Sequence, residues 1–242
     1  RKVAEFKASL DASAAPSMIT FGEYSEKWLE LYKSNKEYNT NYMYKAALKH
    51  FEPIYYNRLS DITRSDFQYI INLNSDHPRT CIIISQTFRQ IMKSAVLDGY
   101  VADNAFLKMT TDISLPKYQK PLKKALSACE RDAILNCDLS DKLRAFVTVL
   151  YYCGLRKSEA LALTTSDFDF DNNVLNVNKV IIFDGNKPIL KPYTKSNNGM
   201  RQIPLNLPCI SILKPYVINC TSTLFTSENA PYFTSTAYKN AW

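Results

Sequence analysis

The sequence predicts a mainly α-helical protein that carries a small antiparallel sheet in its second half. Over roughly the first hundred residues, apolar side chains recur at helical spacing between capping residues and proline or glycine breaks. Between residues 174 and 203, β-forming residues replace that pattern around an Asp-Gly turn. A stretch with two prolines and two lysines, residues 113–122, separates the two patterns. The 242 residues are enough for two separate cores.

These patterns divide the chain into four segments. Residues 1–16 form an N-terminal tail and linker, compatible at its start with a short helix. Residues 17–112 form a helical bundle, residues 113–122 an interdomain linker, and residues 123–242 an α+β domain. Because the chain starts at Arg1 rather than Met, we expect a fragment or a processed protein.

The first two helices of the bundle are predicted from aromatic spacing. Phe21, Tyr24 and Trp28 recur on one helical face, and this stripe is expected in the core rather than on a base-stacking surface. A second helix is expected over residues 41–51 and should end before Pro53, because proline cannot donate a helical hydrogen bond.

Two further helices are predicted from their end signals. Thr63 stands three residues before Asp66, which is the spacing of a capping box. The fourth helix starts near Pro78, a favoured first-turn residue, and stops at Gly99. Four helices in under a hundred residues predict a small bundle.

The second domain begins with helices and then changes to strands. Ser127 and Glu130 form a capping-box pattern, and a further helix over residues 141–153 is closed by Gly154. One three-stranded antiparallel sheet is expected, with a turn at Asp184-Gly185 and a loop at 197–199. The strands are expected at residues 174–182, 189–190 and 201–203, and further helices at residues 207–217 and 235–242.

Charge and cysteine content narrow the class of partner. The net charge is +7, and residues 113–242 hold 16 Lys and Arg against 10 Asp and Glu. A basic domain favours a polyanionic partner such as nucleic acid, although a generic basic surface accounts for the charge equally well. The six cysteines form no C-x-x-C pair, so no zinc site is expected, and scattered thiols are typical of a reducing cytoplasm. No apolar run approaches the roughly 20 residues of a membrane span.

Residues 150–161 carry the strongest functional signal. They read as an apolar helix, a break at Gly154, and a second helix that starts with Arg156 and places Glu159 three residues later. An arginine held in this way suits binding of a phosphodiester. Two other interpretations stay open: Arg156 could cap the preceding helix, and Glu159 could form an ordinary helical ion pair.

The motifs resemble the tyrosine recombinase family, also called phage-type integrases. G-L-R-x-x-E at residues 154–159 is followed by T-K-x-x-x-x-x-R-x-I-P-L at residues 194–205, with a weaker match at residues 224–226. The resemblance covers residues 17–242 and is strongest to integrases of phages and conjugative transposons. It implies a helical, SAM-like core-binding domain and an α+β catalytic domain that is incomplete in this sequence.

The resemblance implies roles for several side chains. Arg156 would bind the non-bridging oxygens of the scissile phosphate, and Glu159 would brace it. Lys195 would act as general acid toward the 5′-oxygen, with Lys191 as the alternative. Arg201 would contact a backbone phosphate or pair across the strands.

The implied partner is double-stranded DNA carrying a recombination site. Expected phosphate contacts are Lys45, Lys49, Arg79, Arg89, Lys93 and Lys120. The family implies a tetramer on DNA, an accessory factor for excision, and no metal, ATP or other cofactor. A bacterial cytoplasmic protein, on the nucleoid when DNA-bound, is expected, with no membrane partner.

The sequence also departs from the family pattern. The family uses an H-x-x-R helix and a late nucleophilic tyrosine, but no histidine follows His77. We therefore expect a C-terminally truncated recombinase that binds DNA without cleaving it. The complete form would integrate and excise a mobile element through a 3′-phosphotyrosine. Alternatives are a housekeeping recombinase that resolves chromosome dimers and a non-catalytic DNA-binding protein of the same fold.

Overall fold

The computed structural model describes residues 18–192, 200–227 and 230–241, which group into two compact units. The first unit ends at Leu122 and the second begins at Lys123. The helix expected near the N-terminus and the loop expected at residues 197–199 lie outside the described residues. Within the described ranges, no helix is both long and apolar enough to cross a bilayer.

The first unit is a bundle of α-helices joined by short turns. Two of its helices begin with capping boxes, one formed by Thr20 and Glu23 and one by Thr63 and Asp66. The second of these was predicted from the sequence. The helices are α1 (Phe21–Lys33), α2 (Tyr38–Leu48), α3 (Arg64–Leu73), α4 (Pro78–Leu97) and α5 (Asp103–Thr110), with 3₁₀ helices at Lys49–Ile54 and Leu59–Asp61.

Stacked aromatic rings form the core of this bundle. Phe88 of α4 lies 4.0 Å from Phe67, 6.0 Å from Phe21 and 5.9 Å from Phe51, measured between ring centroids. Trp28 is fully buried beside them. The predicted burial of the aromatic stripe on α1 is therefore confirmed, and ring packing joins the helices.

The bundle differs from the prediction at two points. Among its described residues it has five α-helices rather than four, because the eight-residue α5 is too short to show a clear periodic pattern and lacks a side-chain cap. The second α-helix ends before Pro53 as expected, but it ends earlier than residue 51, at Leu48, and Pro53 lies inside the 3₁₀ helix that follows. Burial of Phe51 and Ile54 keeps that turn against the core despite the missing N–H.

The start of the predicted linker lies along the first unit. Ser114 and the side chain of Gln68 exchange two hydrogen bonds, of 2.8 and 3.0 Å. The Arg79 guanidinium lies 5.6 Å from the centre of the Tyr118 ring. Residues 112–122 form neither helix nor strand, so these side-chain contacts hold this extended segment.

The second unit has five α-helices among its described residues. As predicted, Ser127 and Glu130 form a capping box, and Gly154 follows the helix that precedes the motif. The helices are α6 (Ala128–Asn136), α7 (Asp141–Tyr152), α8 (Lys157–Ala160), α9 (Leu207–Ile218) and α10 (Ser235–Asn240).

Within the part of this unit that the structure describes, five strands form two small antiparallel sheets. One sheet has the order β1 (Phe168–Asp169), β2 (Val174–Val177), β5 (Arg201–Pro204). The other is a hairpin of β3 (Val180–Asp184) and β4 (Lys187–Lys191). The predicted fold class, mainly helical with small antiparallel sheet, is confirmed.

A three-stranded antiparallel sheet is present as predicted, but the predicted grouping of its strands is wrong, because Val180–Asp184 and Lys187–Lys191 form a separate two-stranded sheet. The β-forming run breaks at Asn178 and Lys179, where the Lys179 ammonium pairs with the buried carboxylate of Asp167. Among the described strands, β3 pairs only with β4. The predicted turn is present, and Gly185 adopts a φ of 57° that glycine favours.

The core of the second unit lies between α7 and α9. Phe146 of α7 meets Phe225 edge-on at a centroid distance of 5.1 Å, and Leu213 of α9 is fully buried. Ala160 and Leu161, at the end of α8, are also fully buried. This packing fixes α8 and therefore the residues of the functional motif.

We predict that Phe88→Ala lowers the free energy of unfolding of the first unit by about 3–5 kcal/mol, because Phe88 touches three other buried rings. The measurement is urea unfolding followed by Trp28 fluorescence, with Trp242 replaced by Phe so that one tryptophan reports. The control is Leu97→Ala on the same helix, which is 79% exposed and should change stability by less than about 0.5 kcal/mol. Equal effects of the two variants would contradict the assigned core.

Candidate functional site

A glycine turn between α7 and α8 positions Arg156. Gly154 adopts a φ of 61°, which lets the chain reverse after α7 without backbone strain. Leu155 then points inward and is 6% exposed. Arg156 follows in an extended conformation as the N-cap of α8, and its side chain is 65% exposed. The buried leucine therefore anchors the turn while the guanidinium faces outward.

Glu159 lies at the third position of α8 and is almost fully buried. One carboxylate oxygen accepts a hydrogen bond of 2.9 Å from the Arg156 backbone N–H. The other accepts one of 2.7 Å from Arg156 Nη1. The contact expected from the three-residue spacing is therefore present. Arg156 makes it from the N-cap position, just before the first turn of α8. The same carboxylate holds both the backbone and the side chain of Arg156.

Arg201 reaches the same carboxylate from a distant part of the sequence. From the first position of β5 its Nη2 lies 3.0 Å from Glu159 Oε2, and its Nη1 lies 3.3 Å from Oε1. These bonds direct the guanidinium to α8, whereas the sequence predicted a phosphate contact or a partner across the strands for Arg201. Nothing local predicts this pairing, since 42 positions separate the two residues.

These contacts satisfy the buried carboxylate. Each oxygen accepts two donors, one from Arg156 and one from Arg201. Burial alone raises the pKa of the Glu159 carboxyl. Hydrogen bonds from Arg201 and then from Arg156 outweigh burial, so the pKa lies below its ordinary value. Two guanidiniums around one carboxylate leave one net positive charge at the surface.

Arg156 keeps donors that can bind an anion. Its contact with Glu159 uses Nη1, and within the described ranges Nε and Nη2 have no protein acceptor. A planar guanidinium can donate two parallel hydrogen bonds to phosphate oxygens. Because the Arg156 guanidinium is exposed and the buried Glu159 carboxylate holds it in place, this site can bind a phosphodiester in a fixed orientation.

The lysine predicted as general acid is not placed. Lys195 lies outside the described residues. The alternative, Lys191, is the last residue of β4, pairs in register with Val180 and is half-buried. Both assignments therefore stay predictions.

The predicted phosphate contacts of the first unit lie at its surface. Lys45 and Lys49 are exposed and line one cleft together with Glu26 and Glu52. Lys93 is exposed on α4.

Three other predicted cations have different surroundings. Arg79 lies against the Tyr118 ring. Arg89 donates a 2.6 Å hydrogen bond to the Thr110 carbonyl at the end of α5, so its guanidinium serves the fold as well. Lys120 is exposed.

Two contacts of charged side chains in the second unit could not be predicted from the sequence. The Lys157 ammonium lies 4.8 Å from the centre of the Tyr238 ring, which brings α10 close to the start of α8. The pair of Asp167 and Lys179 also joins residues distant in sequence. Spacing gives no signal for either contact. Within the ranges that the structure describes, no cluster of His, Cys, Asp and Glu is arranged to hold a metal ion.

We predict that Glu159→Gln lowers the stability of the second unit by about 3–5 kcal/mol near neutral pH, because it leaves two arginines without their charged partner. The free energy of opening of α7 and α9, from hydrogen exchange, is the measurement. The control is Asp138→Asn, an exposed carboxylate of the same unit.

The effect should also depend on pH. Because the pKa of Glu159 is lowered in the folded state, its stabilising effect is complete above the ordinary value of 4.5. It is lost as the pH falls through the folded-state pKa. The difference between wild type and Glu159→Gln should therefore shrink in acid, and a pH-independent difference would contradict this origin.

Sequence relatives of the chain are bacterial recombinases. A stretch of 94 residues is 33% identical to tyrosine recombinase XerD of Pseudomonas aeruginosa, covering 37% of this chain and 30% of that protein. A stretch of 157 residues is 26% identical to tyrosine recombinase XerC of Alcanivorax borkumensis, covering 59% of this chain and 45% of that protein. The matches thus span less than half the length of either relative.

Solved integrase structures share the fold. The Tn1549 transposon integrase, in complex with a circular intermediate DNA, matches with a TM-score of 0.74 and 19% identity over 92% of this chain and 75% of that chain. A lambda integrase tetramer bound to a Holliday junction matches with a TM-score of 0.68 and 15% identity, over 98% of this chain and 67% of that chain. At these identities the likeness establishes the fold alone.

A family model supplies the assignment. The model described as the phage integrase family matches residues 118–242, just over half of the chain, and includes the Gly154 turn, Arg156, Glu159 and Arg201. The chain therefore belongs to the phage integrase family of tyrosine recombinases.

Proposed function

We propose that this protein is a site-specific DNA recombinase that cuts and rejoins DNA through a 3′-phosphotyrosine intermediate, for integration and excision of a mobile element. The observation that carries the proposal is the exposed guanidinium of Arg156, held by the buried carboxylate of Glu159 within the family motif. Such a donor can meet the charge that develops on the scissile phosphate.

The proposed chemistry needs four groups. A tyrosine hydroxyl gives up its proton to water while its oxygen attacks phosphorus, and the bond from phosphorus to the 5′-oxygen breaks. Arg156 donates to the non-bridging oxygens, which gain charge in the transition state, where one such donor is worth about 10²–10³ in rate. Lys195 gives a proton to the departing 5′-oxygen. Glu159 keeps Arg156 oriented, and the 5′-hydroxyl of a partner strand then reverses the reaction.

The 242 residues by themselves are proposed to bind DNA without cleaving it. The sequence holds Arg156, Glu159 and Lys195, but no histidine after His77 and hence no H-x-x-R motif. DNA binding is supported by the positive charge of residues 113–242 and by integrases of the same fold solved with DNA. A tetramer on DNA, an accessory factor for excision and action in the bacterial cytoplasm complete the proposal.

A second candidate is a housekeeping recombinase that resolves chromosome dimers. It is favoured by the sequence matches to XerD and XerC proteins. The chemistry would be the same and the DNA site would differ. Sequencing of the ends of the DNA that the protein recombines in cells distinguishes the two: element ends support the first function, and a single chromosomal locus supports the second.

We predict that the 242-residue chain binds duplex DNA with affinity that falls steeply as salt rises, because bound phosphates release counterions. Fluorescence anisotropy with a 30-base-pair duplex is measured over a salt series. Changing both Lys45 and Lys49 to Gln should weaken binding and reduce the salt slope by about two, since each phosphate contact adds about 0.9.

The matched control changes Lys27 and Lys108 to Gln. This pair removes the same charge, but neither lysine belongs to the predicted contacts, and Lys27 already donates to the Tyr100 hydroxyl. Equal losses for both pairs would indicate a general charge effect. Binding that does not respond to salt would refute the DNA-binding proposal.

We predict that Arg156→Ala lowers single-turnover strand cleavage by the complete recombinase by at least about 10²-fold, while DNA affinity changes little. The substrate is a nicked duplex selected from a random pool by binding. Covalent protein–DNA adduct is measured after denaturation. Lys157→Ala, the exposed neighbouring cation, is the control and should cleave normally. Normal cleavage by Arg156→Ala would remove Arg156 from the site.

A further inference from the structure

We propose that Arg201 is a positioning residue. It donates to both oxygens of the Glu159 carboxylate and so leaves Nε and Nη2 of Arg156 available for the phosphate. This inference rests on the proposed recombinase function. It replaces the expectation that Arg201 binds a DNA phosphate directly, and it is carried by the arrangement of the two arginines around one buried acid.

The two arginines bind the carboxylate in different ways. Arg201 forms a two-pronged contact, with Nη1 and Nη2 each reaching one oxygen at 3.3 and 3.0 Å. Arg156 reaches one oxygen through Nη1 alone and the other through its backbone N–H. The side chain of Arg201 is 30% exposed, against 65% for Arg156. The less exposed arginine therefore neutralises the acid, and the more exposed one faces outward.

This division matters because a carboxylate and a guanidinium prefer a paired, two-bond contact. Without Arg201, a buried Glu159 would keep only the donors of Arg156. The Arg156 guanidinium would then rotate to place a second nitrogen on the carboxylate, and fewer of its donors could face a phosphate. Because Arg201 already donates to both oxygens, Arg156 cannot form this two-bond contact with the carboxylate.

The anchor of Arg201 is independent of the glycine turn. Arg201 is the first residue of β5 and is paired in register with Val177 of β2, whose side chain is buried. Arg156 is fixed by the start of α8. The carboxylate thus has one support from a sheet and one from a helix turn, which holds its orientation more firmly than either would alone.

The first test is independent of catalysis and uses the 242-residue chain. The carboxyl carbon of Glu159 and the Nε–H group of Arg156 are followed by NMR over pH, in wild type and in Arg201→Met. Within the described residues the charged groups that face this carboxylate are Arg156 and Arg201. In Arg201→Met, the titration midpoint of Glu159 should rise and the Arg156 signal should shift.

Arg201→Lys and Lys187→Met complete this test. Lysine keeps the charge but cannot form the two-pronged contact, so its Arg156 signal should resemble that of Arg201→Met. Lys187 is an exposed cation of β4, and its removal should leave both signals unchanged. Unchanged Glu159 and Arg156 signals in Arg201→Met overturn the proposal, whether or not the protein proves to be a recombinase.

The second test is a double-mutant cycle on cleavage by the complete recombinase. Arg201→Met should lower the single-turnover rate by about 10–100-fold, the usual effect of removing a residue that orients a catalytic group. It should move the acid limb of the pH–rate profile upward, because Glu159 then protonates more easily. In a Glu159→Gln background, Arg201→Met should have little further effect.

Each outcome has a separate meaning. An equal rate loss from Arg201→Met with and without the Glu159 carboxylate means that Arg201 contacts DNA directly, which overturns the proposal. Absence of any covalent adduct with wild-type protein counts against the recombinase function, while the NMR measurement still decides how Arg201 acts on Arg156. Agreement of both tests establishes Arg201 as a positioning residue.

Discussion

The buried carboxylate of Glu159 is the interaction on which the arrangement of the site depends. An ionised acid that is 1% exposed is costly unless every lone pair is used, and here four donors from two arginines use them. That requirement ties α8, the Gly154 turn and β5 together. Displacing any one of these elements would remove some of the donors that satisfy the buried charge.

The fold supplies this acid with rigid surroundings. Ala160 and Leu161 bury the end of α8 in the core between α7 and α9, and Leu155 anchors its start. A side chain braced on such elements keeps its orientation when an anion arrives, which is the condition for preorganised electrostatic stabilisation. The net positive charge of the group suits a phosphodiester, and the exposed head of Arg156 lets one approach.

Sequence reasoning succeeds where a local rule governs the chain. The capping boxes at Thr63 and Ser127 and the glycine turn at Gly154 follow from hydrogen-bonding geometry within a few residues. It fails where packing overrides the local pattern. Pro53 lies inside a 3₁₀ turn held by buried neighbours, and the β-forming run breaks where Lys179 pairs with a buried acid.

The candidate site divides in the same way. The contact of Arg156 with Glu159 was readable from the chain, because three positions at a helix start bring the two side chains together whatever surrounds them. The family motif was likewise recognisable from residue types and their spacing alone. The approach of Arg201 to the same carboxylate across 42 positions, and the outward direction of Arg156, came from folding. They depend on how a strand and a helix turn pack around one acid, and no short-range rule encodes that distance.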